Sequence, residues 1–428
     1  MDKFLKYLEG SVSPFHTVEM GCKELRAAGF EELVMYEDWK LKENGKYFIN
    51  HYGTTLVAFT VPTKKKMVDL SKNPVLKIAA AHTDFPCLKI KSNPDMKTDK
   101  YEKLNVEVYG GAILNTWLDR PLGIAGSIAV KAKTMEPKVY LYDSKRAVAT
   151  IPNLAIHMNR EVNKGIELNK QIDMIPVFAI GDEQLHILDF IAEDLKIKAE
   201  DIISFDLNLY NCDKPEYVGV KNDFISSPRI DNVSSCSAIL EAFIENVENK
   251  KSTGVNVAIM FDHEEVGSRT KQGAGSALLN DVIEKIYESM GYETRKGKDA
   301  IYQGIMLSVD VAHAMHPNKT EKADVTNKPI AGYGVALKEA SNQNYATDLR
   351  AIGIVKKLAD MAGVDYQTYA NRSDIPGGGT LGAISSALVP MKTVDIGVPI
   401  LAMHSSREMM GEADYASLKG VLKSFYNM

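Results

Sequence analysis

Four apolar runs in this chain each end abruptly in a group of carboxylates and histidines. The clearest is MFDHEEVG, in which a strand-like stretch is followed at once by Glu264 and Glu265. The other three runs are VLKIAAAHTD (75–84), IMLSVDVAHAMH (305–316) and TVDIGVPILAMHSSRE (393–408). Adjacent carboxylates directly after a buried strand are costly unless a cation or a shared proton compensates them. The pattern therefore predicts strands whose polar ends meet around a metal.

The order of the predicted elements indicates an α/β fold. From residue 231 onward, strand-like runs alternate with amphipathic segments of helical spacing. The predicted helices are NVSSCSAILEAFIENV (232–247), SALLNDVIEKIYESMGY (276–292) and ATDLRAIGIVKKLADMAG (346–363). This alternation is typical of a mostly parallel sheet flanked by helices, in which functional groups gather at the carboxyl ends of the strands.

The middle of the chain has a different texture. Residues 89–221 contain many short alternating runs, such as LNVEVYGGAI and KVYLYDS, separated by Gly, Pro and Asn turns. We therefore predict a β-rich insertion at 89–221 between two parts of an α/β domain, residues 1–88 and 222–428.

Composition excludes several classes of function. Fifty-one basic and 56 acidic residues give a net charge of −5, which provides no basic surface for nucleic acid. No apolar run is long enough for a membrane span, and the first residues lack the apolar core of a signal peptide. The four cysteines are scattered without metal-binding spacing. We expect a cytoplasmic protein that binds neither nucleic acid nor a membrane.

The polar groups supply what a pair of divalent ions requires. Such a site needs histidine nitrogens, a bridging carboxylate, a terminal carboxylate for each ion and an open position for water. The candidate ligands, in chain order, are His82, Asp231, Glu265, Asp310 and His404. Glu264 is then free to act as general base, and Asp84 can orient the imidazole of His82. Each residue alone has a commoner role, such as helix capping for Asp231; their occurrence together favours the metal site.

At these residues the chain resembles the aspartyl aminopeptidase family of dinuclear zinc aminopeptidases. The shared segments are SPFH, AHTDFP, YGGAILNTWLDRPLG, IPNLAIHMNREVN, SPRIDN, MFDHEEVGS, DVAHAMHPN and LAMHSSREM. The resemblance implies that His82 and Asp310 hold one zinc ion and that Glu265 and His404 hold the other. It also implies that Asp231 bridges the two ions and that Glu264 is the base. Cobalt or manganese also suits carboxylate-rich ligation.

The resemblance also has implications for assembly and specificity. It implies that residues 1–88 and 222–428 form one catalytic domain, that the insertion at 89–221 is a dimerisation domain, and that the protein forms a tetrahedral dodecamer. His157 would reach a neighbouring subunit's site and stabilise the oxyanion, although a plain interface histidine is an alternative. His313 would contact the substrate, and Lys338 would face an acidic substrate side chain. Some family members prefer neutral residues.

The expected function is removal of the N-terminal residue from peptides, with a preference for Asp or Glu. A related dinuclear amidohydrolase is the first alternative, but its lid domain is typically inserted later in the chain. Here the longest gap between candidate ligands separates His82 from Asp231, which favours the aminopeptidase. A non-catalytic assembly protein is the second alternative, and the presence of all five ligands and the base argues against it.

Overall fold

The computed structural model describes residues 1–69, 74–247 and 253–428. The strands in this part of the chain are β1 Glu31–Glu32, β2 Lys46–His51, β3 Thr55–Thr60, β4 Leu76–His82, β5 Cys87–Thr98, β6 Tyr101–Tyr109, β7 Leu122–Val130, β8 Lys138–Asp143, β9 Val177–Ile180, β10 Ile202–Asn211, β11 Glu216–Val218, β12 Phe224–Ser227, β13 Val255–Phe261, β14 Ile305–Val309, β15 Ala312–His313, β16 Val335–Glu339, β17 Tyr366–Ala370, β18 Lys392–Gly397, β19 Pro399–Leu401 and β20 Glu408–Gly411. The helices are α1 Asp2–Gly10, α2 Pro14–Ala27, α3 Lys64–Met67, α4 Ile187–Leu195, α5 Ile230–Asn246, α6 Leu278–Ser289, α7 Thr294–Gln303, α8 Leu349–Ala362, α9 Leu381–Leu388 and α10 Glu412–Tyr426.

A nine-stranded sheet forms the centre of the molecule. Its strand order is β1-β2-β3-β13-β4-β14-β18-β16-β17. The four central strands, β13, β4, β14 and β18, are mutually parallel. Antiparallel pairings occur toward the edges, at β2–β3, β3–β13 and β16–β18. The prediction of a mostly parallel sheet is confirmed.

Helices cover both faces of this sheet. All seven residues of β4 are buried, as are all seven of β13. Alternate side chains of a strand point to opposite faces. Ala79 and Ala81 accordingly belong to the apolar cluster that includes α5 and α10, whereas Ile78 and Ala80 belong to the cluster that includes α6. Burial on both faces explains why β4 and β13 are almost continuously apolar.

A second, six-stranded sheet is built from the middle of the chain. Its order is β8-β7-β10-β5-β6-β9, and all of its pairings are antiparallel. This sheet supplies the β-rich texture predicted for residues 89–221, while the domain boundaries themselves stay a prediction. Within the described ranges, no helix is long and apolar enough to span a membrane.

The apolar run at 393–408 is divided between strands of two different sheets. β18 ends at Gly397 in the central sheet, and β19 begins at Pro399 in a third sheet of order β11-β12-β20-β19-β15. Proline has no N–H to donate to a ladder, so Pro399 suits the first position of a strand. Gly397 packs so tightly that a Cβ there would overlap the carbonyl oxygen of Asp310.

Candidate active site

Three neighbouring parallel strands deliver most of the polar groups to one edge of the central sheet. His82 is the last residue of β4, and Asp310 directly follows β14. Glu264 and Glu265 begin a short 3-10 turn after β13. Because β13, β4 and β14 are adjacent and parallel, their carboxyl ends lie side by side.

Asp231 lies between two histidines. Its Oδ1 is 3.4 Å from Nε2 of His82, and its Oδ2 is 3.4 Å from Nε2 of His404. The backbone at Asp231 is not helical, with φ −77° and ψ 111°, although the residue stands at the start of α5. Its Oδ1 is buried and accepts no hydrogen bond from the described residues, so the capping role that its position suggested gives no account of this oxygen.

The remaining candidate ligands fall into two groups, one on each side of Asp231. On the first side, Nε2 of His82 lies 3.5 Å from Oδ1 of Asp310. On the second side, Nε2 of His404 lies 3.4 Å from Oε2 of Glu265. The chain thus brings all five predicted ligands together in the pairing that the sequence resemblance implied.

The spacing and the chemistry of these groups fit divalent metal ions. Two donors that are each about 2.0–2.2 Å from a tetrahedral zinc ion lie roughly 3.3–3.5 Å apart. The four distances between histidine nitrogens and carboxylate oxygens are 3.4 or 3.5 Å. Donor atoms of His82, Asp231 and Glu265 all lie within 4.8 Å of one another. Oδ1 of Asp231 and Oε1 of Glu265 are buried without a hydrogen-bond partner. Coordination to a bound cation would compensate both oxygens.

Burial and mutual repulsion disturb the protonation of this cluster. Burial raises the pKa of Glu264 to about 8, and the neighbouring carboxylates of Asp310, Asp84 and Asp231 add to the increase. Burial and Asp231 raise the pKa of Glu265. Burial opposes ionisation of Asp231 as well, but the neighbouring imidazoles of His404 and His82 hold its pKa below its ordinary value. A site with this excess of carboxylates favours cations.

Asp84 organises the turn that carries Glu264 and Glu265. Its Oδ1 accepts the N–H of Glu264 and its Oδ2 accepts the N–H of Glu265, both at 3.1 Å. The hydroxyl of Tyr109 donates to Oδ2 at 2.6 Å. Nδ1 of His82 lies closer to the backbone oxygen of Asp84, at 3.0 Å, than to its carboxylate, at 3.3 Å. The carboxylate predicted to orient His82 therefore braces mainly the 264–265 turn.

Glu408 is a buried member of the site that the sequence did not single out. Its Oε2 accepts the N–H of Asp231 at 3.0 Å, and its Oε1 accepts the N–H of His404 at 2.8 Å. Burial and the nearby charge of Asp231 raise the pKa of Glu408 to about 8. Its place four residues after His404 was visible in the sequence, but its contacts are to backbone amides, which leave no signature in the sequence.

A cavity of about 190 Å³ opens beside the metal-ligand candidates. His313 and Lys338 both line it, together with Tyr345. Lys338 is buried, with Nζ 3.0 Å from the backbone oxygen of Val311 and 3.5 Å from Oδ2 of Asp310. The predicted substrate-binding lysine is therefore at the cavity and is already paired with a carboxylate.

A single chain does not bring His157 to the cavity. It is exposed and does not line the cavity. Leu154, Ile156 and Met158, its neighbours in the chain, expose 58%, 48% and 75% of their surfaces. Apolar exposure of this kind is typical of a protein interface. A role for His157 in a neighbouring subunit stays a prediction.

Comparisons with known proteins show the family of the chain. A family model described as "Aminopeptidase I zinc metalloprotease (M18)" matches residues 7–426. The probable M18 family aminopeptidase 2 of Clostridium acetobutylicum is 41% identical over 432 residues, which cover 100% of this chain and 98% of that protein. The protein of the same description from Pseudomonas aeruginosa is 34% identical over 429 residues, covering 99% and 96%.

Solved structures share the fold over nearly the whole chain. A chain of the cryo-EM structure of the Ape4 and Nbr1 complex superposes with a TM-score of 0.94 at 31% identity, covering 99% of this chain and 85% of that one. The S. cerevisiae mApe1 dodecamer gives a TM-score of 0.85 at 26% identity, covering 99% and 95%. The chain therefore belongs to the M18 family of zinc aminopeptidases.

Proposed function

We propose that this aminopeptidase works with two zinc ions per subunit, held by His82 and Asp310 on one side and by Glu265 and His404 on the other. The observation that carries the proposal is the position of Asp231, whose two carboxylate oxygens face the two histidines at equal distances of 3.4 Å. A bridging carboxylate needs this placement. Cobalt or manganese would fit the same donors.

The residues around the ions divide the work of peptide hydrolysis. Zinc bound here would supply Lewis-acid polarisation of the peptide carbonyl and an acidified water. Glu264 faces the same cavity, with Oε2 4.0 Å from Nε2 of His82. It takes the proton of the attacking water on its carboxylate and returns that proton to the leaving amine. His313 lines the cavity and contacts the substrate, and His157 from a neighbouring subunit donates to the oxyanion.

Restriction to the N-terminal residue follows from recognition of the free α-amine of the peptide. That amine would bind beside the part of the site formed by Glu265 and His404, near the neighbouring carboxylates of the cavity. A blocked N-terminus lacks a free amine. Unblocked peptides are therefore the substrates, and the reaction removes one residue at a time.

A preference for acidic first residues rests on Lys338. Its ammonium is the cation that a substrate carboxylate would meet in the cavity. Because Asp310 already lies 3.5 Å from Nζ, a substrate Asp or Glu would share the lysine with that carboxylate. A preference for neutral residues is the alternative, in which Lys338 serves only to orient Asp310.

Assembly into a homo-oligomer completes the proposal. The S. cerevisiae mApe1 structure is a dodecamer, and the two chains share the fold over 99% of this one. We propose the same assembly here, with residues 89–221 as the dimerisation domain. Exposed apolar side chains in that region, such as Met135, Val139 and Ile172, support it because water exposure of such groups is unfavourable.

The first experiment is hydrolysis of matched substrate pairs. Unblocked and N-acetylated peptides that begin with Asp, Glu, Leu or Met are offered to the zinc-loaded and to the chelator-treated protein. We expect zinc-dependent release of the first residue from unblocked substrates only. Release from acetylated substrates would instead support the amidohydrolase.

Lys338→Met tests the acidic preference within the same panel. If Lys338 reads the substrate carboxylate, kcat/KM for Asp and Glu falls about 10- to 100-fold, the size expected for a lost charge-assisted hydrogen bond, and the values for Leu and Met change little. An equal loss on all four substrates would show that Lys338 acts through Asp310. Lys131→Met, at an exposed lysine, is the control.

A further inference from the structure

Asp395 is a buried carboxylate that the proposed reaction does not use. It stands on β18 and has no exposed surface. Its Oδ1 accepts the hydroxyl of Thr380 at 2.5 Å, and its Oδ2 accepts the N–H of Ala346 at 2.6 Å. Its own N–H donates to the hydroxyl of Thr347 at 3.0 Å. The side chain and the backbone of Asp395 thus bind two separate loops, one at Ala346 and Thr347 and one at Thr380.

These two loops contribute to the cavity wall and carry no proposed metal ligand. The first loop, residues 340–347, contributes Tyr345, and the second, residues 371–380, contributes Gly378, Gly379 and Thr380. Neither loop contains a helix or strand. Loops of this kind keep a fixed shape only through contacts to a rigid element, and β18 is such an element, paired with β14 on one side and β16 on the other.

The same network reaches Lys338. The hydroxyl of Thr347, which accepts the N–H of Asp395, donates to the backbone oxygen of Lys338 at 2.5 Å. Asp395 is directly opposite Lys338 in the pairing of β18 with β16. Asp395, which anchors the two loops, and Lys338, the cation at the cavity, are therefore direct neighbours on adjacent strands.

We propose that Asp395 is a positioning residue for substrate binding, which fixes both loops against β18 and so shapes the cavity around the first residue of the peptide. This inference rests on the proposed function. Asp395 touches none of the five metal-ligand candidates through a hydrogen bond in the described structure. Its loss should therefore weaken substrate binding and leave the metal centre in place.

The test uses two variants that break the anchor differently. Thr380→Val removes one donor to Asp395 at nearly constant volume, and Asp395→Asn leaves a single acceptor oxygen for the N–H of Ala346 and the hydroxyl of Thr380, which both donate to the carboxylate. Thr380→Ser keeps the hydroxyl. Thr368→Val removes a partly buried hydroxyl on β17, bonded to Asn327 and away from the cavity, and is the matched control.

Two readouts are compared on the zinc-loaded protein. We expect KM to rise about 3- to 10-fold in Thr380→Val and in Asp395→Asn, as for the loss of one charge-assisted hydrogen bond, with kcat within about twofold and zinc content unchanged. Amide hydrogen exchange should speed up in residues 340–348 and 376–382 and stay unchanged in 255–266. Thr380→Ser and Thr368→Val should match the parent.

The double variant, which combines Thr380→Val with Asp395→Asn, tests whether Thr380 acts through Asp395. If Thr380 acts through Asp395, the double variant raises KM by less than the product of the single effects. Unchanged exchange in both loops would overturn the proposal, as would a loss of zinc together with kcat. If Asp395→Asn fails to fold, the KM and the hydrogen exchange of Thr380→Val alone test the proposal. If the parent hydrolyses no peptide, the proposed function fails, and hydrogen exchange still shows whether Asp395 holds the loops.

Discussion

At the scale of single residues, the site depends on carboxylates that accept backbone amides. Asp84 fixes the turn of Glu264 and Glu265, and Glu408 fixes Asp231 and His404. Both are fully or almost fully buried. If one of the two amides moves away, a buried carboxylate oxygen is left without a hydrogen-bond partner, which costs folding free energy. These two residues therefore set the geometry of the cluster without facing the substrate.

Glu264→Gln tests the proposed role of Glu264 as general base separately from metal binding. We expect kcat to fall about 10²- to 10⁴-fold, because the amide cannot accept the proton of the attacking water. Zinc content and assembly should not change, since Glu264 is not a proposed ligand. Steady-state kinetics with metal analysis measures both, and Glu136→Gln on an exposed loop is the control. Near-normal turnover in the variant would mean that another group is the base.

Glu408→Gln tests whether Glu408 strengthens binding of the ion proposed at Glu265 and His404. A glutamine has one acceptor oxygen, so either the N–H of Asp231 or that of His404 loses its partner. We expect zinc affinity to fall about 10- to 100-fold, as is usual when a partner of metal ligands is lost. Titration against a competing chelator measures the affinity. Two zinc ions bound with parental affinity would contradict the role of Glu408.

At the scale of secondary-structure elements, the site exists because parallel strands end together. The apolar runs made β4, β13 and β14 predictable, and with them the positions of His82, Glu265 and Asp310. Two features were not predictable. The close approach of Gly397 to the carbonyl oxygen of Asp310 depends on packing between strands, and Glu408, Tyr109 and Asp395 act through amides and hydroxyls of distant segments. Such contacts depend on the folded arrangement and leave no periodic pattern in the sequence.

Gly397→Ala tests the contact between strands at the site. Its Cβ would overlap the carbonyl oxygen of Asp310, so β18 must shift and carry Asp310 with it. Overpacking of this kind costs about 1–3 kcal/mol, and we expect weaker zinc binding together with the lower stability. Gly353→Ala on α8 is the control, because its Cβ meets no atom within 4 Å. Unaltered zinc affinity in Gly397→Ala would show that Asp310 tolerates the shift.

At the scale of the whole molecule, the acidic cluster couples metal binding to stability. Burial raises the pKa of Glu264 and of Glu408 to about 8, from ordinary values of 4.5. The pKa of His404 is raised from 6.5 to about 10, because the attraction of Asp231 and Glu265 outweighs burial. In each case the folded, metal-free protein holds its proton more tightly than the unfolded chain.

The pH dependence of the metal-free protein follows from this difference. Between about pH 5 and 8 the folded state binds more protons than the unfolded state, so its free energy of unfolding falls as the pH rises, and His404 extends the fall toward about pH 10. Zinc replaces those protons and should flatten the slope. Unfolding midpoints at pH 6 and 8.5, with zinc and with chelator, measure the effect. A metal-free form that becomes more stable toward pH 8.5 would contradict the assigned shifts.

The proposed ligands are spread along the chain from His82 to His404. All five exist only once residues 82–404 have been made, and β4, β13 and β14 must be paired before the five side chains can meet. A partly folded copy therefore has no complete set of proposed ligands. The proposed hydrolytic centre can form only after the central sheet has folded.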